Sequence, residues 1–242
     1  MAILTSPAVI SGLTPSSYRP HSLHGEASAW PETNCYIDLW IEILHALGLD
    51  PIALLPFCLA VDFEGDQWTF AKPSLDDIWT LYQIDVQELN LFESLADHIA
   101  TQVARGRLPL VEVDSYYLPD TAGIAYQIDH SKTTIAINAI DIPARQLAYF
   151  HNSGYYTLNA DDFTHILRLD ESSDAVTLPP YAEFVKIDRR VAHEIVRAES
   201  FRIARRHLVR IPKTNPIAAW RPIFARDFDR LLTQPEIGRA HV

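Results

Sequence analysis

A chain of 242 residues that is 48% hydrophobic and 21% charged can bury a core of ordinary size, as one large domain or one domain with an appendage. Its 31 acidic and 20 basic residues leave a formal net charge of -11, which argues against a nucleic-acid partner and against docking on anionic membranes. Two cysteines form no disulfide framework and no CxxC metal pair. The N-terminus lacks a basic leader region, and no apolar run approaches the roughly 18 residues that span a bilayer. The expectation is a cytoplasmic protein without cofactor, metal or membrane contact.

Residues 1–30, rich in Ser, Pro and His, show no period and read as an irregular arm. Thr33 or Asn34 can then cap a helix in which Ile37, Trp40, Ile41 and Leu44 form one apolar stripe. Gly48 closes it, and Asp50-Pro51 stops continuation. FEGDQWTFAKP reads as a turn and short strand. Ser74 with Asp77 opens a short helix, and Asp85 with Glu88 makes a capping-box pattern for a helix carrying Leu89, Phe92, Leu95, Ile99 and Val103.

From about residue 105 the period falls to two. Strands are expected at 108–114, 130–141, 145–152, 155–158 and 181–187, with a helix over 159–169 between the last two. Asp188 is expected to cap a helix to about His207, and Asn215-Pro216 opens a last helix through Leu232, kinked at Pro222. This order predicts an α+β fold: an N-terminal helical part packed on an antiparallel sheet over 31–187, then a helical extension over 188–235. The final EIGRAHV back-translates into a common short-read sequencing adapter. Residues 236–242 are therefore expected to be an artefact, with the native chain running past about Pro235. A genomic stop codon directly after Val242 would contradict this.

Cys35 stands at the first or second helical position, where unpaired backbone N–H groups and the helix dipole favour a thiolate and can bind an oxyanion. Cys58, apolar on both sides in LLPFCLAV, reads as a small core residue. A nucleophilic thiol needs a base and a group that orients it. Of ten histidines, His130 opens a strand after a loop, and His151 and Asn152 close the paired strand at the same end of the hairpin. That geometry makes His130 the candidate base and Asn152 or His151 the candidate orienter. His21, His24, His45, His98, His165, His193 and His207 read as surface or helix-face residues.

Asp114, Tyr116, Tyr117 and Asp120 are either cleft contacts or a polar turn. Lys132, on the face of His130, can hold a carboxylate or phosphate. Asp62, Glu64 and Asp66 read as a solvated turn, and Arg189, Arg190, Arg205 and Arg206 as a solvated face.

PETNCYIDLWIEILHALGLDP, DFEGDQWTFAKP, LYQIDVQELN, DSYYLPDTAG, HSKTTIAINAID and YFHNSGYYTL together resemble the bacterial domain-of-unknown-function family 1839, over roughly residues 18–235. Cys at a helix start, His about 95 residues on at a strand start, and Asn or Asp on the next strand also look like the papain-like cysteine-peptidase fold. GRLPLVEVDSYYLPD followed by His130 is similar to the N-terminal domain of butirosin biosynthesis protein H, an acyltransferase, and to bacteriocin-processing peptidases. The resemblance implies Cys35 as nucleophile, His130 as base, and Asn152 or His151 as orienter. Papain-like peptidases carry a glutamine shortly before the cysteine, whereas this chain has Trp30 to Asn34; Gln67, or Asn34 with the Cys35 N–H, could substitute. The resulting expectation is a cysteine-dependent acyltransferase or amide or thioester hydrolase, acting on a small-molecule or carrier-protein-bound acyl substrate. The alternative is a non-catalytic binding module of the same fold.

Overall fold

A computed structural model describes residues 7–25, 34–170, 178–187 and 191–233. Asp188, Arg189, Arg190 and the Glu236–Val242 tail lie outside them. The fold mixes helices with one antiparallel sheet. Among the described residues six strands, β1 (Asp85–Glu88), β2 (Arg107–Asp114), β3 (Lys132–Asp141), β4 (Gln146–His151), β5 (Gly154–Asn159) and β6 (Ala182–Lys186), lie in the order β1-β6-β2-β3-β4-β5. Six α-helices accompany them among those residues: α1 (Cys35–Ala46), α2 (Leu75–Tyr82), α3 (Leu95–Ala104), α4 (Ala160–Ile166), α5 (His193–Leu208) and α6 (Pro216–Leu231). None of the described helices is long and apolar enough to cross a membrane.

Alternation along the strands separates two cores. Leu108, Leu110, Ala136, Phe150 and Val185 face α1, which contributes Leu39, Trp40, Ile43 and Leu44. Val111, Val113, Ile135, Ile137 and Tyr149 face the opposite way, onto Ile99 and Val103 of α3 and Phe163 of α4. Residues Tyr36 to Leu44 of α1 are all buried, so this helix lies inside the molecule rather than on it. Asn34 caps it, its Oδ1 accepting from the Ile37 N–H at 3.2 Å while its Nδ2 donates to the Ala71 carbonyl at 2.8 Å. Gly48, at φ 71°, takes the left-handed turn that ends it.

The segment read as a capping box is instead strand β1, paired residue for residue with β6 from Asp85↔Lys186 to Glu88↔Glu183. The helix begins ten residues later than Asp85, at Leu95, where the Ser94 hydroxyl accepts from the Asp97 N–H at 3.1 Å. A four-residue polar edge strand carries no period of its own; its pairing comes from a segment about 100 residues away.

The arm is docked by two buried polar devices. Asn138 stands at a register shift between Ile137 and Ala139, and its amide pairs with Ile10 like a backbone unit: Oδ1 accepts from the Ile10 N–H at 2.7 Å and Nδ2 donates to the Ile10 carbonyl at 2.9 Å. The second device is His24, whose side chain is 1% exposed and lies between two carboxylates on α1. Its Nδ1 is 2.5 Å from Glu42 Oε1 and its Nε2 3.3 Å from Asp38 Oδ1. Glu42 also accepts from the Tyr18 hydroxyl at 2.5 Å and the His21 N–H at 3.0 Å.

Burial opposes charge on His24, but the hydrogen bonds and charges of Asp38 and Glu42 outweigh it and push its pKa up to about 9. Because the folded value lies above the ordinary 6.5, the stabilisation is complete below pH 6.5 and is lost as pH rises through about 9. The shift corresponds to something on the order of 3 kcal/mol. Thermal unfolding scans should therefore show wild type losing its advantage over a His24→Asn variant between those pH values. A constant difference would contradict the clamp.

Two other histidines read as surface or helix-face residues lie on helices but are buried. His98 Nε2 accepts from the Phe92 and Glu93 N–H groups, both at 3.1 Å, closing the turn before α3. His207 is buried with Nε2 2.7 Å from Asp77 Oδ2, and Arg206 pairs with the other Asp77 oxygen, so Arg206 joins α5 to α2 rather than facing solvent alone. Burial first, then the Arg206 and Arg210 charges, lower the pKa of His207.

Candidate functional site

Cys35 is the first residue of α1 and is half-buried. Asn34 satisfies the third N–H of the helix, and its carbonyl accepts from the Asp38 N–H at 3.0 Å. The N–H groups of Cys35 and Tyr36 have no hydrogen-bond partner among the described residues. Among the described residues the thiol therefore sits beside two backbone donors without a partner, at the N-terminal end of a buried helix.

Cys35 lines a cavity of about 420 Å³, and His130 lines the same cavity from the segment preceding β3. His130 Nδ1 lies 2.6 Å from Asp114 Oδ2, and its ring stacks on Tyr116 with centroids 4.2 Å apart and planes within 9°. With Nδ1 tied to Asp114, Nε2 is the nitrogen left for proton transfer. The imidazole side chain is 64% exposed, so a ligand can reach it. Among the described residues no hydrogen bond joins the Cys35 sulfur to His130; the two share a cavity but are not in bonding contact.

His151 and Asn152 do not stand beside His130. His151 is 1% exposed, with Nε2 2.8 Å from Thr133 Oγ1 and Nδ1 2.5 Å from Asp120 Oδ2, and Tyr149 donates to the other Asp120 oxygen at 2.5 Å. Thr133 neighbours Lys132 on the strand and points to the other face, and His151 points with it. The open ends of the hairpin are near each other, but His151 is engaged with Thr133 and Asp120 while His130, in the segment before β3, pairs with Asp114. Asn152 occupies the short β4–β5 turn at φ 44°, a left-handed conformation that asparagine tolerates well. Asp114, read as either a cleft contact or part of a polar turn, is the group paired with His130. It lies opposite Lys132 in the β2–β3 register, which brings it within one turn of the chain from His130.

Lys132 lines the cavity and donates to Glu112 Oε1 at 2.8 Å. Asn34 acts as the helix cap. Gln67 lies in an exposed turn where its carbonyl accepts from the Glu64 N–H at 2.8 Å, and it is not part of the cavity lining. Tyr117 lines a neighbouring cavity and stacks on His165 with centroids 4.5 Å apart.

Sequence reasoning missed the inner wall. Glu183, 1% exposed, accepts from the Tyr36 hydroxyl at 2.8 Å, the Tyr181 hydroxyl at 2.7 Å and Lys72 Nζ at 3.2 Å. Lys72 Nζ also sits 4.2 Å from the centre of the Tyr36 ring. Burial, reinforced by the Glu183 charge, raises the Tyr36 phenol well above its ordinary pKa, so it stays a donor. The only sequence signal was the alternation of β6, which puts Glu183 and Val185 on the α1 face. Among the described residues no group of three or more His, Cys, Asp or Glu is placed to hold a metal ion.

The arrangement brings together a thiol, a histidine with a carboxylate partner and an aromatic-walled cavity. The family model described as the DUF1839 N-terminal domain matches residues 19–187, which includes Cys35, Asp114, His130 and Glu183. No curated protein matches the chain.

Proposed function

The chain belongs to the DUF1839 family, and from that premise we propose that it is a cysteine-dependent acyl-transfer enzyme, a transferase or an amide or thioester hydrolase built on a papain-like arrangement. The observation that carries this reading is that Cys35, at the start of a buried helix, and the His130–Asp114 pair line one cavity. Cys35 gives its proton to His130 Nε2 and attacks the acyl carbonyl. The N–H groups of Cys35 and Tyr36 hold the oxyanion in place of the upstream glutamine that papain-like peptidases use. His130 then protonates the leaving group, and an amine, alcohol or water resolves the acyl-enzyme. Asp114, rather than His151 or Asn152, orients the imidazole through Nδ1. Phe70, Leu110 and Tyr181 give the cavity an apolar lining suited to an acyl chain. Residues 31–187 serve as the catalytic domain in this reading, with 188–235 as a helical extension.

The absence of a Cys35–His130 hydrogen bond favours a second reading, a non-catalytic binding module of the same fold. Thiol reactivity separates the two. Cys58 is exposed as a residue, yet desolvation of its thiol, only partly offset by a backbone hydrogen bond, raises its pKa. Under the enzyme reading, iodoacetamide at pH 7 should alkylate Cys35 at least about tenfold faster than Cys58, as followed by peptide mass spectrometry. Equal, slow labelling of the two would support the binding module.

A further inference from the structure

The base of the proposed reaction is open to water. The His130 side chain is 64% exposed and that of Asp114 36%, and an ion pair this exposed holds a geometry weakly. The bond from Nδ1 to Asp114, at 2.6 Å, also fixes only one atom of the ring and by itself leaves the imidazole free to turn about the line of that bond. The second restraint is Tyr116, whose ring lies parallel to the imidazole within 9° and with centroids 4.2 Å apart. A parallel face opposes the rotation that the in-plane bond permits.

Tyr116 serves little else in the fold. It is half-buried and belongs to neither core, whereas the adjacent Tyr117 packs against the core that holds Val111 and Ile135. Its hydroxyl has no hydrogen-bond partner among the described residues. The backbone around it is tied to the surroundings of His130. The Tyr116 N–H donates to Asp114 Oδ1 at 3.0 Å, so the residue that stacks on the imidazole also holds the carboxylate that meets it. The Tyr116 carbonyl accepts from the Gln127 N–H at 3.0 Å, and the Ser115 N–H donates to the Ser131 carbonyl at 2.9 Å, with the two serine hydroxyls 2.6 Å apart. The turn Ser115–Tyr117 is thereby pinned to the chain on both sides of His130. Tyr117 meets the Tyr116 ring edge-on at 5.0 Å and itself stacks on His165, so the stacking ring is backed by a second one.

We propose that Tyr116 is a positioning residue: its ring fixes the plane of His130, so that Nε2 is presented to the cavity that Cys35 lines. This rests on the reading of His130 as the base. The role needs the aromatic ring and not the hydroxyl. Tyr116 does not line the Cys35 cavity, so it acts through His130 on the proton transfer rather than on binding of the acyl donor.

The test compares wild type with Tyr116→Phe and Tyr116→Leu, and uses Tyr116→Met as the ring-free variant if Tyr116→Leu folds poorly. Acylation of Cys35 by the hexanoyl thioester of N-acetylcysteamine is followed by intact-protein mass spectrometry over a range of thioester concentrations. The tautomer of neutral His130 is read by long-range proton–nitrogen NMR, its signals being those missing from His130→Gln; this readout needs no turnover. Tyr116→Leu should lower the limiting acylation rate about tenfold while the half-saturating thioester concentration stays within about twofold, and Tyr116→Phe should stay within about twofold of wild type in both. Wild type and Tyr116→Phe should show the Nδ1–H tautomer, and the ring-free variant should add an Nε2–H fraction. A merely structural role would lower the melting temperature and leave the tautomer unchanged. A rate in the ring-free variant within about twofold of wild type, an equal loss in Tyr116→Phe, or an unchanged tautomer would overturn the proposal. If wild type forms no Cys35 adduct, the acyl-enzyme reading falls, and the tautomer comparison alone decides whether Tyr116 holds the ring.

Discussion

Cys35→Ala is expected to lower turnover of an acyl thioester by on the order of 10⁴-fold or more, with the fold unchanged. The side chain is half-buried at the start of α1, and among the described residues it makes no hydrogen bond. Its removal therefore touches neither the Asn34 cap nor the Tyr36–Leu44 core. The loss should appear in kcat, because the thiol acts on the reacting carbon and contributes little to ground-state binding. Asp114→Asn is the informative companion. It keeps the shape of the pair but offers His130 Nδ1 an amide in place of the carboxylate that orients the ring, so a loss of about 10² to 10⁴ is expected, with kcat falling more than KM changes. His151→Gln, on the other face of the sheet, should act through stability instead. A Cys35→Ala variant that retains turnover within about tenfold of wild type would remove the thiol from the mechanism.

Glu42→Ala is expected to cost about 3–5 kcal/mol of folding stability, the largest single effect outside the site. The carboxylate is fully buried and holds His24, the Tyr18 hydroxyl and the His21 N–H at once. Removing it leaves a buried imidazolium with Asp38 alone and strips the arm of three contacts. Urea denaturation should show the loss, and limited proteolysis should cut the arm around residues 16–25 earlier than in wild type. A loss below about 1 kcal/mol would mean that the arm is held by Asn138 and apolar contacts alone. Glu42 lies two turns along the helix from Cys35, so the same clamp that docks the arm fixes the helix that presents the thiol.

Local features were legible in the sequence. The Asn34 cap, the α1 stripe, the Ser74 start of α2, the Asn215 cap of α6 and the period-two strands β2 to β6 follow from residues within one turn or one strand. The place of Cys35 was legible for the same reason, since it opens α1, whereas His130, read as opening a strand, stands two residues before β3 begins at Lys132. Pairings across the sheet were not. Asp114 reads as either a cleft contact or part of a polar turn until the register of β2 on β3 sets it beside His130. Glu183 draws no notice in the strand expected over 181–187, and its role appears only when Tyr36, 147 positions earlier, covers it. His24 reads as an arm residue until two carboxylates of a buried helix enclose it. In each case the deciding partner is remote in sequence, and a like pattern of local residues would look the same with the partner absent.

The central claim is that Cys35 becomes acylated. The direct measurement is incubation of the full chain with hexanoyl N-acetylcysteamine thioester at pH 7, followed by digestion and mass spectrometry of the cysteine peptides. The account predicts a hexanoyl adduct on the Cys35 peptide, formed faster than on the Cys58 peptide and strongly slowed in His130→Ala. No adduct on Cys35, or equal acylation of Cys35 and Cys58 that His130→Ala leaves unchanged, would contradict it.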